Sequence, residues 1–351
     1  MVQDLFKAPY PRIVAGPCSV ESEEQMLSTA RALAQDPRIL ALRGGVWKPR
    51  TQPGTFEGIG PAALPWLKKA SQETGLPVIT EVANVQHVEQ ALEAGIDMLW
   101  IGARTTVNPF YVEEIAEALR GTSIPVLVKN PIHPELKLWL GALERLEKKG
   151  ISQLMAIHRG FYAYQSQPFR NEPKWEIFFA LRTQRPDIPV LCDPSHIAGK
   201  SELIGEVAQS ALDLGMEGLI IESHHAPGHA LSDARQQVTP RELSHILDHL
   251  VYRKEAPENE RFIQKLEDLR RQIDRVDEQL LDILRERLRL VEQIGPVKEA
   301  NEATIFQMRR WFKVLENRKQ YGTKKGLDPE IVHELFQLIH KYSIDTQLSR
   351  S

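Results

Sequence analysis

Cys18 follows the apolar run IVAG, His196 lies in DPSH after PVLC, Glu222 closes GLIIE, and Asp233 sits in the SDA segment beyond it. A thiol, an imidazole and two carboxylates can together offer four ligands of mixed softness to one divalent ion. Singly, each has an ordinary reading: a small buried thiol, a capping histidine, two solvated carboxylates. A second set is basic. Arg43 and Lys48 follow ILAL, Arg104 follows DMLW, Lys129 ends PVLVK and Arg159 follows QLMAI. Cations gathered in one enclosed site need anionic partners, because unpaired buried charge is expensive. A substrate carrying a phosphate and a carboxylate would satisfy them. Arginine suits bidentate contact with either group, whereas lysine is a compact point charge that can also donate a proton. Taken separately, any one of these is an ordinary surface salt-bridge partner.

Whether these residues meet depends on the elements that carry them. Eight short runs (IVAG near 13, ILAL near 39, PVIT near 77, DMLW near 97, PVLVK near 125, QLMAI near 153, PVLC near 189, GLIIE near 218) alternate with helical patterns. The helices are predicted over 21–35, 61–74, 85–93, 109–119, 134–149, 173–184, 200–214 and 240–250. Eight strand–helix units in about 240 residues predict an α/β fold of the (β/α)8 TIM-barrel type. A doubly wound open sheet is the competing fold, but no GxGxxG turn follows the first strand. Chemistry in a (β/α)8 barrel sits at the C-terminal strand ends. The first, seventh and eighth units are neighbours in a closed barrel, so Cys18, His196, Glu222 and Asp233 are expected to converge on a metal.

After Leu250 the character changes. YRKEAPENERF is polar and contains a proline, as a linker does, and no strand signal follows it. The expected division is a barrel over 1–252, a linker over 253–261 and a helical domain over 262–351. Leu266, Leu269, Ile273, Val276, Leu280 and Ile283 recur at spacings of three and four, a narrow seam for packing against other helices. One more step lands on Arg287, and Val291 and Ile294 resume the apolar pattern. A charge on the packing face either snorkels, pairs with a carboxylate, or meets an anion inside the bundle. Pro296 limits this helix near its end. A second helix is predicted over 306–319, and a third from Asp328-Pro329, an N-cap followed by proline at the first helical position.

Bulk properties narrow the function classes. With 351 residues the chain exceeds what one core usually serves. Its 44 basic and 47 acidic residues nearly cancel, so no broad positive field serves nucleic acid or a membrane surface. The start MVQDLFKAPYPR lacks the apolar core of a signal peptide, and no apolar run approaches the roughly 20 residues that span a bilayer. A soluble cytoplasmic protein is expected. Two cysteines are too few for a disulfide framework.

AGPCS at 15–19, RGGVWKPRT at 43–51, TEV at 80–82, IGAR at 101–104, VLVK at 126–129, HRG at 158–160, CDPSHIAG at 192–199, IIESH at 220–224 and SDA at 232–234 occur in that order. Together they resemble the 3-deoxy-D-arabino-heptulosonate 7-phosphate synthases, most nearly the short type Iβ form without an added N-terminal regulatory domain. The resemblance implies that Cys18, His196, Glu222 and Asp233 bind a divalent metal of the Mn, Co, Fe or Zn class. It also implies that Arg43, Lys48, Arg104, Lys129 and Arg159 hold phosphoenolpyruvate, with Lys129 and Arg159 catalytic, and that Arg50 and Thr51 meet erythrose 4-phosphate. Pro49, Glu81, Gly102 and Ala103 join the implied substrate-binding set. The related 3-deoxy-D-manno-octulosonate 8-phosphate synthases share the barrel but typically carry a KANRS-like segment where this chain has KPRT, which favours errythrose over arabinose as the sugar. His158 stands where relatives often have glutamate, and Gln52 where serine is common.

LEDLR at 266–270, IDRVDEQLLDILRER at 273–287, Lys298, RRW at 309–311 and FQLIHKYSIDTQ at 336–347 resemble the all-helical chorismate mutases. This implies that Arg270, Arg287, Lys298, Gln307, Arg310, Ser343 and Gln347 bind chorismate, with Arg287, Lys298 and Gln347 catalytic. Gln307 and Trp311 stand where some relatives have aspartate and glutamate. A homodimer through these helices is implied, with Arg270 reaching the partner's site. An alternative is a non-catalytic module that binds prephenate or chorismate and regulates the barrel by feedback.

Overall fold

Eight short runs of β-branched and apolar residues form the strands of the computed structural model: β1 (Arg12–Gly16), β2 (Ile39–Arg43), β3 (Val78–Val82), β4 (Met98–Ile101), β5 (Val126–Lys129), β6 (Leu154–His158), β7 (Val190–Cys192) and β8 (Gly218–Glu222). They close into a parallel barrel in sequence order. The closing pair runs from Arg12 opposite Gly218 to Gly16 opposite Glu222, which excludes an open sheet. Residues 11–49, 54–164, 167–253 and 259–349 are described.

Strand alternation sets two cores. Met98 and Trp100 of β4 join Val14, Ile79, Leu127, Met155, Leu191 and Ile220 inside the barrel, while Leu99 and Ile101 join the larger shell between strands and helices. That shell is completed by α1 (Glu23–Leu33), α2 (Leu64–Thr74), α3 (Val85–Glu93), α4 (Ala103–Thr106), α5 (Pro109–Ala118), α6 (Leu136–Lys148), α7 (Trp175–Gln184), α8 (Pro194–Ala198), α9 (Ile204–Asp213) and α10 (Pro240–His249). Their starts are chemically marked. Ser22 and Asn84 accept N–H bonds from Gln25 and His87, and Thr239 forms a capping box with Glu242 ahead of Pro240. Two helices have no counterpart in the sequence reading: α4 and α8 are four and five residues long, too short to show a period. The segment predicted as one helix over 200–214 opens with a 3-10 turn, Ser201–Leu203, before α9.

The chain divides into two compact units, Met1–Glu255 and Ala256–Ser351. The second contains α11 (Glu260–Glu299), α12 (Met308–Lys324) and α13 (Pro329–Leu348). Asn259 and Asp328 cap α11 and α13. Pro296 lies inside α11, which ends three residues later at Glu299, because a proline removes one N–H bond without forcing the following residues out of the helix. Among the described residues no helix is long and apolar enough to cross a membrane.

Candidate active sites

The mouth of the barrel gathers the residues that the strand ends promised. One cavity of about 480 Å³ is lined by Lys48, Pro49, Glu81, Gly102, Ala103, Arg104, Lys129, Arg159, His196 and Asp233. Every one of them was singled out from the sequence. Arg43, Cys18 and Glu222 lie beneath this lining, each at most 1% exposed. Arg50 and Thr51 fall outside the described residues.

The four candidate metal donors stand as two pairs. The Cys18 thiol donates to Asp233 Oδ2 at 3.3 Å, and His196 Nε2 lies 3.8 Å from Glu222 Oε1. Tetrahedral ligands of a zinc-like ion, with bonds of roughly 2.0–2.3 Å, sit roughly 3.4–3.7 Å from one another, so each pair has about the spacing of two ligands on one ion. Among the described residues, no three such side chains are grouped to hold a metal as they stand. Protein cations fill the space instead: Lys48 Nζ lies 3.1 Å from Cys18 Sγ, Arg43 Nη2 3.1 Å from Glu222 Oε1, and Arg170 Nη1 2.9 Å from Asp233 Oδ1. In donor chemistry and pairwise spacing the set fits a borderline-soft divalent ion.

Electrostatics follow from this packing. Burial, then Glu222, pushes the Cys18 thiol up to about 12, against the pull of Lys48. Burial alone would raise the Glu222 carboxyl, but His196 and Arg43 outweigh it and hold it low. Asp193 is held well below the usual carboxylate range in the same way, burial being overcome by His196 and Lys129. Burial brings Arg159 down to about 10, still charged at neutral pH.

Several organising residues had been missed. Asp193 is fully buried and serves two partners, His196 Nδ1 at 2.8 Å and Lys129 Nζ at 2.9 Å, so one carboxylate orients both. The DPSH motif carried that signal, one residue before the proline. Arg170 and Asn171 carried none, being loop residues. Arg170 also donates to Gln236 Oε1 at 2.6 Å, and Gln236 Nε2 donates to Glu222 Oε2 at 2.6 Å. Asn171 accepts from Arg159 Nη1 at 3.0 Å and donates to the His196 carbonyl at 2.6 Å. Gly199 makes this approach possible: it ends α8 at φ +71°, and a Cβ there would meet Arg170 Cβ at 2.4 Å.

In the helical unit, Arg287 Nη1 donates to Ser343 Oγ at 2.7 Å and Lys298 Nζ to Gln347 Oε1 at 3.1 Å, joining α11 to α13. Ser343 and Gln347 are buried, four residues apart on one helix face. Lys298 and Gln347 line a cavity of about 620 Å³ with Glu292, Glu299 and Ile305. Burial lowers both the Arg287 and Lys298 pKa values. Trp311 stacks on His340 at 4.1 Å, and Gln307 is the N-cap residue of α12. Arg310 lies exposed in the first turn of α12. Arg270 is also exposed, paired with Glu267 on its own helix.

Residues 9–256 match the DAHP synthetase I family. The chain belongs to that family. Residues 269–348 match chorismate mutase type II, so a family barrel is joined to a helical segment of that second type. A phospho-2-dehydro-3-deoxyheptonate aldolase of Thermotoga maritima is 31% identical over 229 residues, 65% of each chain. This chain thus spans about two thirds of that relative's length. The crystal structure of the Thermotoga maritima DAHP synthase superposes with a TM-score of 0.62 at 29% identity, covering 69% of this chain and 68% of that one. A 2-dehydro-3-deoxyphosphooctonate aldolase of Acidithiobacillus ferrooxidans is 29% identical over 70% of this chain and 92% of its own.

Proposed function

We propose that the barrel condenses phosphoenolpyruvate with erythrose 4-phosphate to give 3-deoxy-D-arabino-heptulosonate 7-phosphate and phosphate, and that the helical unit rearranges chorismate to prephenate. The observation that carries the first reading is the single cavity in which Lys48, Arg104, Lys129 and Arg159 converge beside His196 and Asp233. Four cations there match a substrate pair bearing two phosphates and a carboxylate. Cys18, His196, Glu222 and Asp233 would hold the divalent ion, which when bound would polarise the aldehyde oxygen.

The chain's own groups account for the rest. Arg43, from beneath the lining, with Lys48, Arg104, Lys129 and Arg159 hold phosphoenolpyruvate so that its C3 faces the aldehyde carbon, while Pro49 borders the aldose phosphate. As the C–C bond forms, Lys129 Nζ gives a proton to the aldehyde oxygen, which becomes a hydroxyl. Water adds at C2 and loses one proton, which restores the Lys129 ammonium, and the resulting C2 hydroxyl passes its remaining proton to the departing phosphate as the C2–O bond breaks to leave the ketone. Asp193 keeps Lys129 aimed at this point. Phosphate release would be measured with phosphoenolpyruvate and either erythrose 4-phosphate or arabinose 5-phosphate, with and without chelator. Turnover of the erythrose substrate, lost to chelator and restored by Mn2+ or Co2+, is expected. Preference for arabinose 5-phosphate would instead favour the octulosonate reaction named for the Acidithiobacillus relative. Chelator-insensitive turnover would remove the metal.

For the helical unit the support is the Arg287–Ser343 and Lys298–Gln347 pairs beside one cavity. An intramolecular rearrangement needs only a compact cage for a dicarboxylate and donors at the breaking ether. A non-catalytic binding module would need the arginine but not Lys298 and Gln347. Chorismate consumption by the full chain, lost in Lys298→Met, separates the two. Arg270 precedes Arg287 by 287 − 270 = 17 residues, about 25 Å along a helix, so within one chain it cannot reach the same pocket. That supports a homodimer in which Arg270 serves the partner's site. Prephenate bound in the helical unit is proposed to slow the barrel. Unchanged synthase rates with added prephenate would exclude that feedback.

A further inference from the structure

Trp100 is fully buried inside the barrel, yet its one ring reaches three charged side chains on three other strands. The indole N–H donates to Glu81 Oε2 at 3.1 Å, the Arg43 guanidinium lies 5.0 Å from the ring centroid, and Lys129 Nζ lies 5.6 Å from it. Glu81 is also pressed against Gly102, where a Cβ would stand 2.0 Å from Glu81 Oε1. Both cations already face carboxylates, Arg43 at Glu222 and Lys129 at Asp193. The ring supplies something that a further carboxylate would not. Its quadrupole attracts a cation without neutralising it or occupying its N–H groups. Arg43 Nε and Nη1 accordingly have no hydrogen-bond partner, although the residue is 0% exposed. Donors left unpaired in a buried site are costly unless something arrives to accept from them.

We propose that Trp100 is a positioning residue for the condensation: it fixes Arg43 and Lys129 as charged groups with free donor capacity for an incoming carboxylate or phosphate, and it aims Glu81 at the cavity rim. The proposal rests on the phosphoenolpyruvate reading above. A flat ring is stiff and touches β2, β3 and β5 at once, so it sets the spacing of the cations before the anion binds. An aliphatic side chain of similar bulk would fill the space but would offer no ring face to fix where the two cations lie.

The test compares Trp100→Met and Trp100→Phe with Met155→Ala, a core variant from the same interior cluster, and adds fluorinated tryptophans placed at position 100. Fluorine withdraws electron density from the ring face with little change of shape. Trp100→Met is expected to raise the KM for phosphoenolpyruvate about tenfold while the KM for the aldose phosphate stays within about twofold; Trp100→Phe, which keeps a ring face, falls between it and wild type. The same KM is expected to climb with each added fluorine at unchanged melting temperature. A KM that is flat across the fluorinated series, or a Trp100→Met enzyme no different from Met155→Ala, would overturn the role. Wild-type protein that consumes no phosphoenolpyruvate with either aldose phosphate would overturn the substrate reading itself, and the ring's role in it. The fluorinated series does not depend on Trp100→Met folding.

Discussion

At the barrel mouth and in the helical unit, candidate binding residues are held in different ways. In the barrel, Arg43, Lys129, Arg159, Asp193 and Glu222 are all at most 8% exposed, and each is held by side chains from other strands or loops of the same chain. In the helical unit, α11 runs for 40 residues with Val291 its only buried one, and Ile273, Val276 and Ile283 of its seam are 59%, 61% and 62% exposed. A closed barrel brings neighbouring strand ends together by its own hydrogen bonding, so one chain can complete a site. A lone helix offers one stripe, and three helices of one copy leave most of that stripe uncovered.

The difference can be broken or sharpened experimentally. The largest effect is expected at Lys129. Lys129→Met should lower synthase turnover by ~10²–10⁴ and leave chorismate turnover unchanged, measured side by side on the full chain. Loss of both activities would mean that the two sites are not separately built.

A charge on the exposed seam should do the reverse. If the proposed dimer forms through this seam, Leu280→Asp is expected to leave a monomer in sedimentation and to lower mutase turnover about tenfold or more, with the synthase rate held at matched concentration. A dimer that survives this substitution would show that α11 is not the joining face.

Acid should also discriminate between the units. His158, enclosed by Trp139, Phe161, Trp175 and Phe178, is driven by burial from the ordinary 6.5 to about 4. Between those values the unfolded chain takes up a proton that the folded barrel refuses. The stability from His158 is therefore complete above about pH 6.5 and is lost as pH falls through the window, by about 1.4 kcal/mol per pH unit. Calorimetry from pH 7 to 4.5 should show the barrel transition falling more steeply than the helical one, and His158→Gln should remove part of that slope, leaving the part due to His224, which burial also lowers to about 4.

The smallest effects are at the caps. Thr239→Ala and Asp328→Ala should each cost about 1 kcal/mol, the first lowering only the barrel transition and the second only the helical one. A single transition that moves equally with either would show that the units unfold together.

Much of this was legible along the chain because the signals are periodic. Runs such as PVLVK and GLIIE bury every residue, and helices as long as α6 or α11 repeat their apolar positions often enough to be read. Helices α4 and α8 complete barely one turn each, yet they carry Arg104 and His196, so those residues were readable as strand-end chemistry while their local structure was not. Trp100 reads in DMLW as one more apolar residue. Its contacts with Arg43, Glu81 and Lys129 come from strands 19 to 57 positions away in sequence, which no local pattern encodes.

Residue types and their places at strand ends were determined by sequence alone: a thiol, an imidazole, two carboxylates and five cations at the ends of seven of the eight units. The pairing was decided only in three dimensions. That Asp193 serves both His196 and Lys129, that Gln236 links Arg170 to Glu222, and that Arg43 lies beneath the cavity lining depend on strand ends and the segments beyond them being brought together by barrel closure. The physical reason is that periodicity records which face a residue takes, whereas the partner it meets is set by strand order and register around the closed sheet.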